Sequence, residues 1–284
     1  MKLQLSILAV LCAAITAPAA TLTSTARAGD SPTIYYLSLG DSLAASGQPN
    51  GDLTHGYAEQ LYASLVAGEP KLRLVKLGCG GESSVSMRFG SQDPTVVASC
   101  ATPGGYKDLY PKGTQLAEAV SFLQAHKDKV ALVTIDVGSD DLQRLDPQGN
   151  LVICLLEPAG CATQQGRLAA NLGVILADLR AAAGPAVPIV GKTYYDVFAP
   201  LWFTDPVTAL FVGGRVDDFN AVLESTYAAA GDPVADVAGT FENGIYPDSA
   251  LNVCAWTWFC SLGDVHPNTA GYGEIAQAFE QVLP

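Results

Sequence analysis

Ser42 and His266 are the side chains whose type and setting best suit nucleophilic chemistry. Ser42 stands in Gly40-Asp41-Ser42-Leu43, directly after an apolar run at residues 33–39 that reads as a buried strand. A serine where a strand turns toward a helix exposes its hydroxyl and has backbone N–H groups around it. The plainer reading is a turn with a helix-capping serine. His266 stands in Asp264-Val265-His266-Pro267-Asn268, ahead of a helical pattern at residues 269–283. From a loop end at the sheet edge its imidazole can reach the first strand; the plainer reading is a surface histidine before a proline turn. Together they would suit a reaction in which the hydroxyl attacks a carbonyl and the imidazole takes its proton.

Other chemistries fit less well. The α/β-hydrolase elbow wants G-x-S-x-G in mid-chain, whereas Ala44 holds the last glycine position and Ser42 follows the first strand. No glycine-rich lysine loop is present to cradle phosphate. The histidines, at 55, 126 and 266, are scattered, and no C-x-x-C occurs, which argues against a metal site. No cofactor or metal is implied.

The elements that must position these residues alternate. Strands are expected at residues 33–39, 72–77, 130–137, 188–194 and 233–238. Helices are expected at 55–67, 115–126, 163–183, 216–230 and 269–283. Long irregular stretches at 78–112, 138–161 and 239–268 follow the second, third and fifth strands. This order argues for a mostly parallel five-stranded sheet covered by helices on both faces, a three-layer α/β/α sandwich. Ligands of such sheets bind beyond the carboxyl ends of the strands, where the three stretches would crowd.

Composition narrows the setting. Met1-Lys2, the apolar run at residues 3–15 and the small residues up to Ala28 read as a secretory signal peptide, leaving residues 29–284 as one domain. The run is too short to span a bilayer, and no other segment is long enough. Cys12 suggests a lipoprotein signal only weakly, because the bulky Leu11 precedes it. Removing residues 1–28 takes away Lys2 and Arg27 and no acid, so the formal charge moves from −13 to −15. Such acidity repels nucleic acid and anionic membranes, and keeps an extracellular protein soluble. A monomer is expected. Six cysteines then remain, an even number that suggests disulfides. They fall into three successive pairs, so 79–100, 154–161 and 254–260 is the simplest pairing.

Four blocks taken together resemble the SGNH (GDSL) hydrolase family. Gly40-Asp41-Ser42-Leu43 matches its first block, and Gly80-Gly81-Glu82-Ser83 resembles its second. Gly138-Ser139-Asp140-Asp141 sits where the family has G-x-N-D, and Asp264-Val265-His266-Pro267-Asn268 resembles the last. The resemblance, with the leader and six cysteines, is to a branch of secreted bacterial lipases and esterases. It implies a flavodoxin-like fold and ester hydrolysis, with Ser42 as nucleophile, His266 as general base, and the N–H groups of Ser42 and Gly81 as oxyanion donors. Gly81 also has a plainer reading, as a loop glycine chosen for backbone freedom.

Two departures stand out. The family's acid lies three residues before the histidine, where this chain has Gly263; Asp264 lies two before. Either the Asp264 carboxylate or a loop carbonyl such as that of Gly263 orients the imidazole. Asp140 replaces the family's oxyanion asparagine, and a carboxylate accepts hydrogen bonds where an amide donates. It serves as a neutral acid, turns away, or marks a binding or structural protein on a hydrolase scaffold that has lost turnover. Trp256, Trp258 and Phe259 are candidates for an acyl pocket, although packing around a Cys254–Cys260 loop explains them equally. The substrate is a small-molecule or lipid ester, with acyl-lipid and simple carboxylic esters ranked ahead of acetylated sugars.

Overall fold

The structure is a computed structural model that describes residues 32–91, 100, 105–145 and 151–283. The expected leader, with Cys12, lies outside these residues. Five parallel strands form the sheet: β1 (Ile34–Gly40), β2 (Leu72–Lys76), β3 (Val130–Asp136), β6 (Ile189–Lys192) and β7 (Val234–Ala235). Their order is β2-β1-β3-β6-β7. This is the flavodoxin-like winding, with its switch point between β1 and β3. A small antiparallel hairpin, β4 (Gln143–Leu145) and β5 (Leu151–Ile153), stands apart from the sheet.

Burial follows position in the sheet. The last five residues of β1 and all of β6 are buried, and β3 is buried except at its second residue. Such continuous apolar runs are what a central strand covered on both faces requires. β2, at the edge, is only partly buried. Helix α1 (Tyr57–Leu65) packs on α10 (Thr269–Glu280). The other helical layer is α4 (Gln115–Ala125), α5 (Ala162–Ala183) and α6 (Pro206–Ala230), packed in succession. Thr114, Asp205 and Asn268 cap α4, α6 and α10 through side-chain oxygens that accept helix N–H groups. Among the described residues, no helix is long and apolar enough to cross a membrane.

Five expectations are corrected. The stretch at 138–161 carries the β4–β5 hairpin between two 3-10 turns, and the fifth strand spans only Val234–Ala235, with helix from Val237 where strand was expected to 238. Helix α6 begins at Pro206, ten residues before the expected start. The Gly213-Gly214 pair looks like a break, but packing of this segment on the 3-10 turn Ala199–Phe203 outweighs roughly 1 kcal/mol per glycine. Residues 78–112 contain α2 (Ser84–Phe89) and α3 (Tyr106–Leu109). Residues 239–268 are likewise half helical, with α7 (Val237–Thr240) running into the stretch, then α8 (Asp248–Trp256) and α9 (Phe259–Leu262). Apart from α9, which buries no residue and is tied by the Cys254–Cys260 disulfide, these short helices draw their stability from burial of one face, not from a long periodic pattern. The three disulfides join Cys79 to Cys100, Cys154 to Cys161 and Cys254 to Cys260.

Candidate active site

The strand ends and loops at the carboxyl edge enclose a cavity of about 660 Å3. Ser42, Gly81, Asp140, Asp264 and His266 all line it. The sequence-selected residues, between 40 and 266, therefore meet at one place.

Ser42 follows β1 in a turn whose carboxylate holds it. Asp41 Oδ1 accepts the Leu43 N–H at 2.8 Å, while Oδ2 accepts the Ser139 hydroxyl at 2.7 Å and the Tyr194 hydroxyl at 3.0 Å. Beneath the turn, Asp136 accepts the Asp41 N–H through both Oδ1 (2.9 Å) and its carbonyl (3.0 Å). Burial and the Asp41 charge push the Asp136 carboxyl upward. Burial brings the nearby Lys192 ammonium down to about 8, against the pull of Asp136 and Asp41. Lys192 Nζ lies over the Tyr194 ring, 3.2 Å from its centre.

His266 is fixed from several sides. Asp264 Oδ1 accepts its backbone N–H at 2.9 Å and lies 2.7 Å from its Nδ1. The carboxylate is thus the imidazole's partner, and Nε2 is left for the cavity side. The Trp258 N–H donates to the His266 carbonyl at 3.0 Å, and the Asn268 N–H to that of Trp256 at 2.9 Å. The Tyr195 hydroxyl donates to the Val265 carbonyl at 2.6 Å. The Cys254–Cys260 loop therefore braces the histidine segment. Gly47 bridges nucleophile and base: a carbon added to it would stand 3.1 Å from the Ser42 carbonyl oxygen and 3.4 Å from His266 Nε2.

The N–H groups of Ser42 and Gly81 donate to no acceptor among the described residues. Asp140 faces the same cavity from the 3-10 turn Ser139–Leu142. Burial pushes its carboxyl well above the usual range, the charges of Asp41, Asp141 and Glu82 add to this, and the Ser139 hydroxyl opposes it. Gln143 Nε2 donates to Asp140 Oδ1 at 3.3 Å. Asp141 turns away and ties the third block to the start of α2, accepting the Ser84 N–H (2.7 Å) and hydroxyl (2.6 Å).

The apolar wall differs from the sequence candidates. Trp256, Trp258 and Phe259 do not line the cavity. Trp256 meets Phe241 edge-on at 5.1 Å, Trp258 Nε1 donates to Gln48 Oε1 at 3.3 Å, and Phe259 meets Phe198 at 6.1 Å. They pack around the disulfide loop, so the packing alternative holds. Ile153, Leu155, Val197, Phe198, Val216 and Phe219 form the wall instead. Two supporting residues, Tyr194 and Tyr195, carried no signal in the sequence.

The doubly wound sheet, with chemistry-bearing groups gathered at its carboxyl edge, places the chain among the flavodoxin-like α/β/α proteins. The sequence profile of the GDSL-like lipase/acylhydrolase family matches residues 38–273, and the chain belongs to that family. Among solved structures, an acetylxylan esterase from Geobacillus stearothermophilus is similar at 17% identity, with a TM-score of 0.52 over 88% of this chain and 94% of that one. A lipase from a goat rumen metagenome is similar at 14% identity, with a TM-score of 0.54 over 88% and 97%. A putative GDSL-like lipase from Parabacteroides merdae gives 13% identity and a TM-score of 0.53 over 88% and 95%. A search of curated proteins finds no match.

Proposed function

We propose that this protein hydrolyses carboxylic esters through an acyl-enzyme on Ser42, with His266 as general base and Asp264 orienting the imidazole. The observation that carries the reading is the Asp264–His266 pair at 2.7 Å, set on the same cavity as Ser42. Ser42 Oγ attacks the ester carbonyl and His266 Nε2 takes its proton. The imidazolium then protonates the departing alcohol, and water reverses the sequence to release the acid. The negative charge on the carbonyl oxygen is met by the free N–H groups of Ser42 and Gly81.

Asp140 is the third member of this hole in its neutral form. Its half-buried, acid-rich surroundings favour the proton, and Gln143 occupies Oδ1, which leaves Oδ2 to carry it. Carboxylic acids kept neutral by their site can donate in this way. The apolar wall of Ile153, Leu155, Val197, Phe198, Val216 and Phe219 suits an acyl chain better than a lone acetyl group, which supports acyl-lipid and simple carboxylic esters as substrates. We also propose that residues 1–28 are a secretory leader and that the protein is extracellular. The three disulfides support export to an oxidising compartment.

The test is hydrolysis of p-nitrophenyl esters of rising chain length by the parent and by Ser42→Ala. The parent is expected to turn over, with preference for chains longer than acetyl, and the variant to be inactive but folded. Parent activity retained in Ser42→Ala overturns the assignment. A parent that neither turns over nor takes a fluorophosphonate label is the binding protein that Asp140 alone would suggest.

A further inference from the structure

Two oxyanion donors on separate segments of chain work together only at a fixed spacing. Ser42 lies two residues beyond Gly40, and Gly81 two residues beyond Cys79. Between these segments sits Gln115, the fully buried first residue of α4. Its Oε1 accepts the Gly40 N–H at 2.6 Å, and its Nε2 donates to the Gly40 carbonyl at 2.9 Å. The same Nε2 lies 2.7 Å from the Tyr110 hydroxyl oxygen and 3.2 Å from Glu82 Oε2. The Gly40 carbonyl also accepts the Cys79 N–H at 3.1 Å. One amide thus grips both backbone groups of a residue just ahead of the nucleophile and reaches the residue just after Gly81.

Gly40 needs such a grip. Its φ is +134°, and a side-chain carbon there would fall 2.0 Å from the Asp136 carbonyl oxygen. Only glycine fits, and glycine has the loosest backbone of any residue. The grip also demands an amide. A carboxylate can accept from the Gly40 N–H but cannot donate to its carbonyl, and it would face Glu82 at the same short distance.

We infer that Gln115 is a positioning residue that sets the separation of the Ser42 and Gly81 N–H groups and so shapes the oxyanion hole. The inference rests on the catalytic reading above. Its expected signature is a loss in kcat without a loss in substrate binding, because the hole acts on the transition state.

Gln115→Met keeps the length of the side chain and removes every hydrogen bond. The expected result, on a soluble p-nitrophenyl ester, is a kcat lower by about 10- to 100-fold with KM changed by less than about twofold. The assay is run well below the variant's Tm. An unchanged kcat in folded Gln115→Met, whatever its Tm, overturns the inference and leaves Gln115 a stabilising residue only. Gln115→Glu gives a second, independent reading. The introduced carboxyl would face Glu82 from the loop after β2 and Tyr110 from the segment before α4, and it would lie at Gly40, which the Asp136 carboxyl adjoins from the end of β3. Neutral, it donates to the Gly40 carbonyl; ionised, it repels it. The rate of Gln115→Glu relative to parent is therefore expected to rise as pH falls from about 8 to about 5. A ratio that is flat with pH overturns the inference even if Gln115→Met fails to fold. A parent with no esterase activity overturns the catalytic reading and this inference with it; an active parent with an unaffected Gln115→Met overturns the inference alone.

Discussion

Replacing Asp140 by asparagine exchanges a group that donates only when protonated for one that always donates. Three carboxylates bear on Asp140: Asp41 from the nucleophile turn, Glu82 from the loop after β2, and Asp141 from its own turn. The Ser139 hydroxyl and the Gln143 amide are its polar neighbours, and His266 lines the same cavity. Burial and the three acids hold the proton on, so at low pH the parent already has its donor and the two proteins are expected to differ little. Above the point where Asp140 titrates, each pH unit removes about nine-tenths of the neutral form. The ratio of variant to parent kcat should then climb by about tenfold per unit. It should level off at the worth of one oxyanion donor, about 100- to 1,000-fold or 3–4 kcal/mol. His266 must be neutral in both proteins, so its own limb cancels in the ratio. The assay is kcat by pH-stat on one soluble short-chain ester, from about pH 5 to 9. A parent whose kcat declines at alkaline pH while the variant declines identically, or a variant slower than the parent throughout, would refute Asp140 as a member of the hole.

Asp264→Asn should lower kcat by about 10^4-fold at unchanged fold, because the amide can hold the imidazole in the wrong tautomer; a drop of less than about tenfold would return the role to a backbone carbonyl. Glu82 is pushed up from 4.5 to about 7, chiefly by burial. The folded state thus holds a proton that the unfolded state releases, and stability should decline as pH rises from about 4.5 to 7, by roughly 3 kcal/mol for this group. Urea midpoints at pH 5 and pH 8 should show a smaller decline for Glu82→Gln than for the parent, and equal declines would contradict the assigned burial cost. Val216→Trp fills the apolar wall and should shorten the preferred acyl chain, each lost methylene contact being worth about 0.8 kcal/mol. Unchanged chain-length preference across a p-nitrophenyl series would place the acyl group elsewhere.

The central strands were legible because burial on both faces leaves an unbroken apolar run, as in residues 130–137. The order of elements then implied the sheet and its reactive edge. The short helices between 239 and 268 were hidden because α8 and α9 are too brief to show a period above the Gly, Pro and aromatic residues around them. The candidate site divided along similar lines. Ser42, Gly81, Asp140 and His266, which line one cavity, could be singled out because each lies in a local block with its own pattern. Asp41 was visible as a letter of its block, but its work was not, since Ser139 and Tyr194 reach it from 98 and 153 positions away. Gln115 left no trace because it opens an ordinary helix, and what distinguishes it is a contact with Gly40 across 75 positions. Long-range hydrogen bonds of this kind follow from the packed sheet and have no signature along the chain.

The apolar wall of the cavity belongs to none of the four blocks. Ile153 closes the β4–β5 hairpin, Leu155 lies in the turn that follows, and Val216 and Phe219 sit on α6. Val197 and Phe198 come from the segment after β6. The reacting groups are instead anchored to β1, β3 and one another. On the proposed reading, reaction and selectivity are therefore separable traits in this scaffold: with Gln143 kept for its bond to Asp140, the rest of the hairpin and the helix α6 can be reshaped while the proposed nucleophile and base keep their geometry. Diversification of substrate range would then proceed as remodelling of a few wall segments on a constant frame. Libraries aimed at new esters belong at the wall positions 153, 155, 197, 198 and 216, leaving Cys154 in its disulfide and Arg215 on the carbonyls of that turn.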